Sequence, residues 1–316
     1  LRFIWRVALA IRFFSGRPNP THDFSGLRHM HEHPLHRFFK SKREQPVFQW
    51  ERFQQRDVLV IDHPHCQAVF SRQGAQLLHF KPTGQKPWLW CAAKWPQVGA
   101  IRGGVPICWP WYGRHPSENA WPSHGWARLI DWKLLDSHAD EEGVSLHWRL
   151  QLCDWQVDLH ARLGESMTLR LSTEHQDDEP CHMSQALRAY WRIGDVAEVA
   201  LSGLDGVVGY DQLNREPCEQ KGELRVEGGC QRVFHHDGEM QLNDHAWQRA
   251  LSIDTGDSGN TVVWHPGKRP LLGVSWSEVM GFVCVESTSG GTRHQSLAPG
   301  EQAHLSLHAR AGLCHA

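Results

Sequence analysis

From Asp57 onward, apolar and polar residues alternate in short runs separated by turns. In VSLHWRLQL (144–152), Val144, Leu146, Trp148 and Leu150 fall on one face, and Ser145, His147, Arg149 and Gln151 on the other. A period of two is the pattern of a half-buried antiparallel strand. WQVDLHARLG (155–164) and SMTLRLSTE (166–174) repeat it. DVLVIDH (57–63) and CQAVFSRQGAQLLHFKP (66–82, broken at Gly74) predict earlier strands. AEVALSGL (197–204), ELRV (223–226), QRALSID (248–254), NTVVWH (260–265), GFVCVES (281–287) and AHLSLHAR (303–310) continue the series. No stretch past residue 57 has the caps and period of a long amphipathic helix. The pattern predicts an all-β sandwich. With no internal repeat, low-complexity tract or linker, residues 46–316 read as one domain.

Residues 1–45 break the pattern and are expected to form a poorly ordered extension. LRFIWRVALAIRFF (1–14) mixes arginines with apolar residues over a span too short to cross a bilayer as a helix. No small-x-small cleavage site follows it, and the His/Arg/Pro-rich run to Lys42 has no clean period. A misplaced start and an amphipathic membrane-contacting helix are the other readings.

Composition narrows the function. At 316 residues, 40% hydrophobic and 22% charged, the chain is of soluble globular type. A formal net charge of −2 argues against nucleic-acid binding, which wants a basic domain. The nine cysteines form no CxxC pair, and their odd number points to reduced thiols and a cytoplasmic protein. The 23 histidines include no HExxH, so no metal is expected. Sixteen tryptophans against three tyrosines suggest, in part, sugar-facing surface.

Candidate chemistry concentrates in IRGGVPICWPWYGRHPSENAWPSHGWAR (101–128). It holds Arg102, Arg128, His124, Trp109, Trp111 and Trp121 among glycine and proline turns. Guanidinium forks suit phosphate oxygens, and flat rings suit the C–H faces of a sugar. Gly103 and Gly104 allow close backbone approach or unusual dihedrals. A second stretch, SQALRAYWRIGD (184–195), places Arg188 among apolar residues.

Taken in order, IRGGVPICWPWYG (101–113), HGWAR (124–128), ALRAYWRIGD (186–195), LDGVVGYDQL (204–213) and FVCVES (282–287) resemble the hexose-6-phosphate mutarotase branch of the aldose 1-epimerase family. The resemblance runs from about Asp57 to His308. It implies an antiparallel β-supersandwich of the galactose mutarotase type. It also implies a cofactor-free, monomeric enzyme that interconverts the anomers of a hexose 6-phosphate, glucose 6-phosphate by default. Mutarotation takes a proton from O1 and gives one to O5, so a base and an acid are the minimum kit.

By the same resemblance Glu286 is the base, with a solvated strand-end glutamate as the bland alternative. Arg102 and Arg128 bind the phosphate unless they form solvated or structural ion pairs. Asp211 bonds sugar hydroxyls unless it is a turn aspartate, and Trp111 stacks on the sugar. The family's proton-donating histidine is here Arg188, whose pKa above 12 rules out useful donation near neutrality. His124 is the expected substitute donor, with a structural histidine at its turn as the other reading. His182 is a weaker candidate, too far along an extended strand to take over from position 188. The replacement leaves a second function open, a catalytically weakened protein that still binds sugar phosphate.

Overall fold

The computed structural model describes residues 33–40, 46–289 and 295–313. A short 3-10 turn at Pro34–Phe39 precedes 22 strands, and the one α-helix among the described residues, α1, is the single turn Trp276–Val279. The chain opens with a meander of β1 (Phe48–Phe53), β2 (Arg56–His63), β3 (Cys66–Ser71) and β4 (Gln76–Pro82), followed by the two-residue β5 (Ile107–Cys108). Next come β6 (Lys133–Ala139), β7 (Val144–Leu152), β8 (Trp155–Leu163), β9 (Met167–His175), β10 (Cys181–Met183) and β11 (Gln185–Arg192). The third quarter holds β12 (Val199–Ser202), β13 (Val208–Asp211), β14 (Glu216–Glu219), β15 (Leu224–Arg225), β16 (Gly229–Phe234) and β17 (Glu239–Asp244). The last are β18 (Arg249–Asp254), β19 (Asn260–Pro266), β20 (Phe282–Ser289), β21 (Gln295–Leu297) and β22 (Gln302–Gly312).

Two large antiparallel sheets dominate. One runs β15-β12-β17-β18-β22-β9-β8-β7-β6, the other β14-β13-β16-β19-β20-β11-β5. The opening meander joins the second sheet through segments 88–92 and 103–106: Val105 N donates to Leu77 O, Trp90 N to Tyr190 O, and Tyr190 N to Gly104 O. Both layers feed one core. Leu59, Phe70, Ala189, Trp191, Val283 and Val285 meet Leu146, Trp148, Leu169, Leu305 and Leu307 there. This is the expected all-β supersandwich.

The first strand of the nine-stranded group to be read from its pattern, β7, alternates as predicted, with Val144, Leu146, Trp148 and Leu150 inward. Many tryptophans are core rather than sugar-facing: Trp88, Trp109, Trp132, Trp148, Trp155 and Trp191 are fully buried, and Trp90, Trp95 and Trp111 nearly so. Part of the expected N-terminal extension is ordered. Leu35 is fully buried against Phe53, Val58, Val60 and Leu78, with Phe38 and Phe39 beside it. Residues 1–32 and 41–45 lie outside the described residues, and so does the suggested amphipathic helix at 1–14. No helix among the described residues is long and apolar enough to cross a membrane.

Candidate active site

Strands β11 and β20 are buried on both faces, which explains why FVCV reads as a continuous apolar run. Val283 and Val285 point into the main core, while Phe282 and Cys284 pack on the other side with Trp90 and Tyr190. Glu286 continues that second side. Arg188 stands directly across from Glu286 in the register, so the two side chains share a face. This pairing brings Arg188 Nε to 3.2 Å from Glu286 Oε1. The contact lacks hydrogen-bond alignment, and both atoms are buried without a hydrogen-bond partner among the described residues. The Arg188 guanidinium also lies over the Trp264 ring at 4.4 Å and near Tyr190 at 5.5 Å.

The glycine-rich stretch builds the wall over this pair. Gly103 and Gly104 both have positive φ, and a Cβ on Gly104 would sit 2.1 Å from Leu77 O. Only glycine lets this segment slot between β4 and β11. Further on, His124 and Gly125 both take left-handed dihedrals, with φ of 64° and 72°. The His124 N–H donates to Gly113 O at 2.6 Å, and the Gly113 N–H donates back to His124 Nδ1 at 3.1 Å. This two-way closure carries the imidazole to Arg188, whose NH1 lies 3.4 Å from His124 Nε2. It also fixes Tyr112, whose backbone N–H donates to Ser184 Oγ and whose phenol donates to Glu286 Oε2 at 2.8 Å. Neither Tyr112 nor Trp264 stands out in sequence. The one available signal is a hydroxylated ring within a run of tryptophans.

Burial sets the protonation states. It raises the Glu286 carboxyl above the usual range, against the opposing pull of Arg188 and the Tyr112 hydrogen bond. Burial and the neighbouring Glu286 charge push the Tyr112 phenol well up. For Arg188, burial pulls downward but is outweighed by Glu286, Tyr190, Cys284 and Tyr112 together, and the guanidinium holds its proton more firmly than usual. His124 moves the other way, lowered to about 2 by burial, Arg188 and Arg128. His124 is on the expected wall, where burial and the two guanidiniums favour the neutral imidazole; with Nδ1 accepting from Gly113, its one N–H sits on Nε2 beside Arg188 NH1.

Arg102 and Arg128 complete a group of three guanidiniums. Burial lowers Arg128, and Arg188 and Arg102 lower it further by repulsion. Arg102 also acts on Tyr190 and Cys284, the residues two positions from Arg188 and Glu286 on their strands. Arg128 donates to the Ser123 carbonyl, while its Nε is buried without a hydrogen-bond partner among the described residues. Among the described residues no carboxylate pairs with Arg102 or Arg128.

Two expected site residues are placed elsewhere. Asp211 accepts from the Leu213 and Asn214 backbone N–H groups and from Arg232 Nε. Its register, through Arg232 and Val263 to Val285, puts it on the sheet face opposite to Glu286. It is the turn aspartate of the alternative reading. Trp111 is 3% exposed, donates its indole N–H to Pro122 O and stacks on Trp121, so its rings serve a local aromatic cluster. His182 is exposed on β10, which pairs with β21 and is separate from β11. No group of three or more His, Cys, Asp or Glu among the described residues is arranged to hold a metal ion.

Comparison with known proteins decides the family. The aldose 1-epimerase family model matches residues 57–310. The chain belongs to the aldose 1-epimerase family. Within this family of carbohydrate isomerases, it is 33% identical to a protein of Escherichia coli K12 named as a candidate glucose-6-phosphate 1-epimerase, over 82% of this chain and 92% of the relative. The crystal structure of a candidate mutarotase from Salmonella typhimurium superposes with a TM-score of 0.80 at 27% identity, covering 89% of this chain and 99% of that one. A candidate aldose 1-epimerase of Escherichia coli shares the fold at a TM-score of 0.63 and 15% identity, over 80% and 98% of the two chains.

Proposed function

We propose that this chain interconverts the α and β anomers of a hexose 6-phosphate, with glucose 6-phosphate the default substrate. The observation that carries the reading is the charge of the site. Arg102 and Arg188 both act on Arg128, and Arg188 faces the carboxylate of Glu286 at 3.2 Å. An excess of half-buried guanidinium charge is costly until an anion joins it, and phosphate matches the guanidinium fork. The relatives named as candidate glucose-6-phosphate 1-epimerases support the same substrate.

In this reading Arg102 and Arg128 hold the phosphate. Glu286 takes the O1 proton through its unpaired Oε1, made a stronger base by burial. The ring opens, C1 rotates about the C1–C2 bond, and closure on the other face reverses the step. Arg188 aligns the carboxylate and stabilises negative charge at the ring oxygen. The test is anomer exchange followed by NMR with glucose 6-phosphate and with glucose. Exchange above the buffer rate that favours the phosphate sustains the reading, and equal handling of both sugars removes the clamp.

A second reading has its own observation. The base is already ion-paired by Arg188 at 3.2 Å, as a protein that binds sugar phosphate without turning it over would allow. Wild type at the buffer rate, with exchange restored by Arg188→His, would establish that reading instead.

A further inference from the structure

The site holds a base, and neither basic side chain beside it is poised as an acid of intermediate pKa. Arg188 keeps its proton, and His124 is held neutral. Among the described residues, the hydroxyl that touches the base is that of Tyr112, 2.8 Å from Glu286 Oε2. It is held there from two sides. Ser184 anchors the Tyr112 backbone, and the His124 ring meets the phenol edge-on at a centroid distance of 5.0 Å. The other carboxylate oxygen, Oε1, is buried beside Arg188 Nε and has no hydrogen-bond partner among the described residues. The result is an unpaired acceptor and a donor joined by one hydrogen bond. O1 and O5 of a hemiacetal share a single carbon and lie closer together than two hydrogen-bonded oxygens, so such a pair can engage both at once.

We propose that Tyr112 is the proton donor of this site, working as a pair with Glu286. The proposal rests on the anomer-exchange reading above. The O1–H bond breaks and its proton passes to Glu286, while the electron pair forms the C1=O1 double bond. The C1–O5 bond breaks, its electrons go to O5, and O5 takes the proton of Tyr112. Glu286 is then neutral and Tyr112 a phenolate, with the aldehyde free to rotate. Closure on the other face returns the O5 proton to Tyr112 and the Glu286 proton to O1, and the pair ends as it began. No oxidant, reductant or co-reactant enters.

The environment links the two transfers. The charged and titratable groups that act on or touch the phenol are Glu286, Arg188, Cys108 and His124. Burial raises its pKa first and the Glu286 charge second. Glu286 loses that charge as it accepts the O1 proton, so the phenol becomes a better acid at the moment its proton is needed. Arg188 acts in the same direction, favouring the phenolate.

The experiment uses the full chain and glucose 6-phosphate, with exchange measured by NMR from pH 6 to 9 and affinity by calorimetry. Tyr112→Phe is expected to lower exchange by on the order of 10²–10⁴-fold at every pH while affinity stays within about twofold. A Tyr112→Phe rate equal to wild type overturns the proposal. So does recovery at alkaline pH, because Tyr112 would then only tune the Glu286 carboxyl, which its hydrogen bond lowers. 3-Fluorotyrosine at position 112 keeps the shape and makes the phenol more acidic. It is expected to change the maximal rate without changing affinity, and an unchanged rate overturns the proposal even where Tyr112→Phe folds poorly. Wild type at the buffer rate removes the anomer-exchange reading and this proposal together. Wild-type exchange with an undiminished Tyr112→Phe removes this proposal alone.

Discussion

Two buried arginine–carboxylate pairs in this molecule have nearly the same geometry and opposite chemistry. Arg249 and Asp244 approach to 3.3 Å with side-chain exposures of 14% and 0%; Arg188 and Glu286 approach to 3.2 Å with 11% and 0%. Asp244 is saturated. It accepts from the Gly194 and Trp247 backbone N–H groups as well as from Arg249 Nε. Arg249 in turn donates to the carbonyls of Pro87 and Arg192. Among the described residues Glu286 has one hydrogen-bond donor, Tyr112, and an unpaired Oε1, while Arg188 leaves its Nε unbonded and rests on an aromatic ring. Burial and distance therefore do not separate a saturated pair from an unsaturated one. The difference lies in how many hydrogen-bonding positions the fold leaves open.

The sharpest way to break the comparison is to remove each carboxylate. Asp244→Ala strands a buried arginine and two backbone N–H groups. It is expected to cost about 3–5 kcal/mol of stability, read as a lowered denaturation midpoint. Glu286→Gln keeps the shape and a hydrogen-bonding group, so the fold is expected to hold while exchange falls by on the order of 10²–10⁴-fold. A Glu286→Gln protein that unfolds like Asp244→Ala would make the two pairs equivalent and remove the argument from openness.

Much of this fold is legible in the sequence because one face of many strands meets water. β7 to β9 alternate, and they occur at the expected positions with ends shifted by a residue or so. β1 and β6 are missed for the opposite reason. β6 is a mostly exposed edge with a bulge between Leu134 and Asp136, so no clean apolar period survives. At the site, Glu286, Arg188 and His124 are legible through ordered motifs. Tyr112 is not, because its partner lies 174 residues away. Asp211 and Trp111 carry plausible chemistry as residue types, but their hydrogen-bonding groups are already used by Arg232 and Pro122. Saturation of that kind is a property of the folded chain and has no one-dimensional signal.

The clamp offers a milder test. Arg128→Lys keeps the charge but loses the fork and the buried Nε. Arg102→Lys does the same from the neighbouring segment. Each is expected to weaken glucose 6-phosphate binding by about tenfold, roughly 1.4 kcal/mol, with the fold intact. Calorimetry against glucose as well as glucose 6-phosphate locates the loss. A change that is equal for both sugars would place these arginines away from the phosphate.

The smallest expected effect comes from a third cluster, which limits how far openness alone can be read. Among the described residues, His33 and His79 each leave a buried Nε2 without a hydrogen-bond partner, and neither pairs with a carboxylate. His33 belongs to the N-terminal segment whose Leu35 packs on the domain, and His36 lies between the two rings, 6.5 Å from one and 5.3 Å from the other. Burial lowers His33 to about 4, helped by Arg192 and His36, and burial lowers His79 well below its ordinary value. The fold therefore holds both rings neutral, whereas the unfolded chain protonates them near pH 6.5. Between pH 6.5 and 4 the unfolded state binds more protons, so stability is fully present above that window and falls as pH falls. Each histidine is expected to contribute about 1 kcal/mol of loss between pH 6.5 and 5.5. His79→Leu removes one proton-binding site from the unfolded chain, so its denaturation midpoint should depend less steeply on pH across that window. An unchanged slope would mean that His79 titrates alike in both states. The openness of its Nε2 would then reflect access to water, and Glu286 would stand apart from it in being both open and dry.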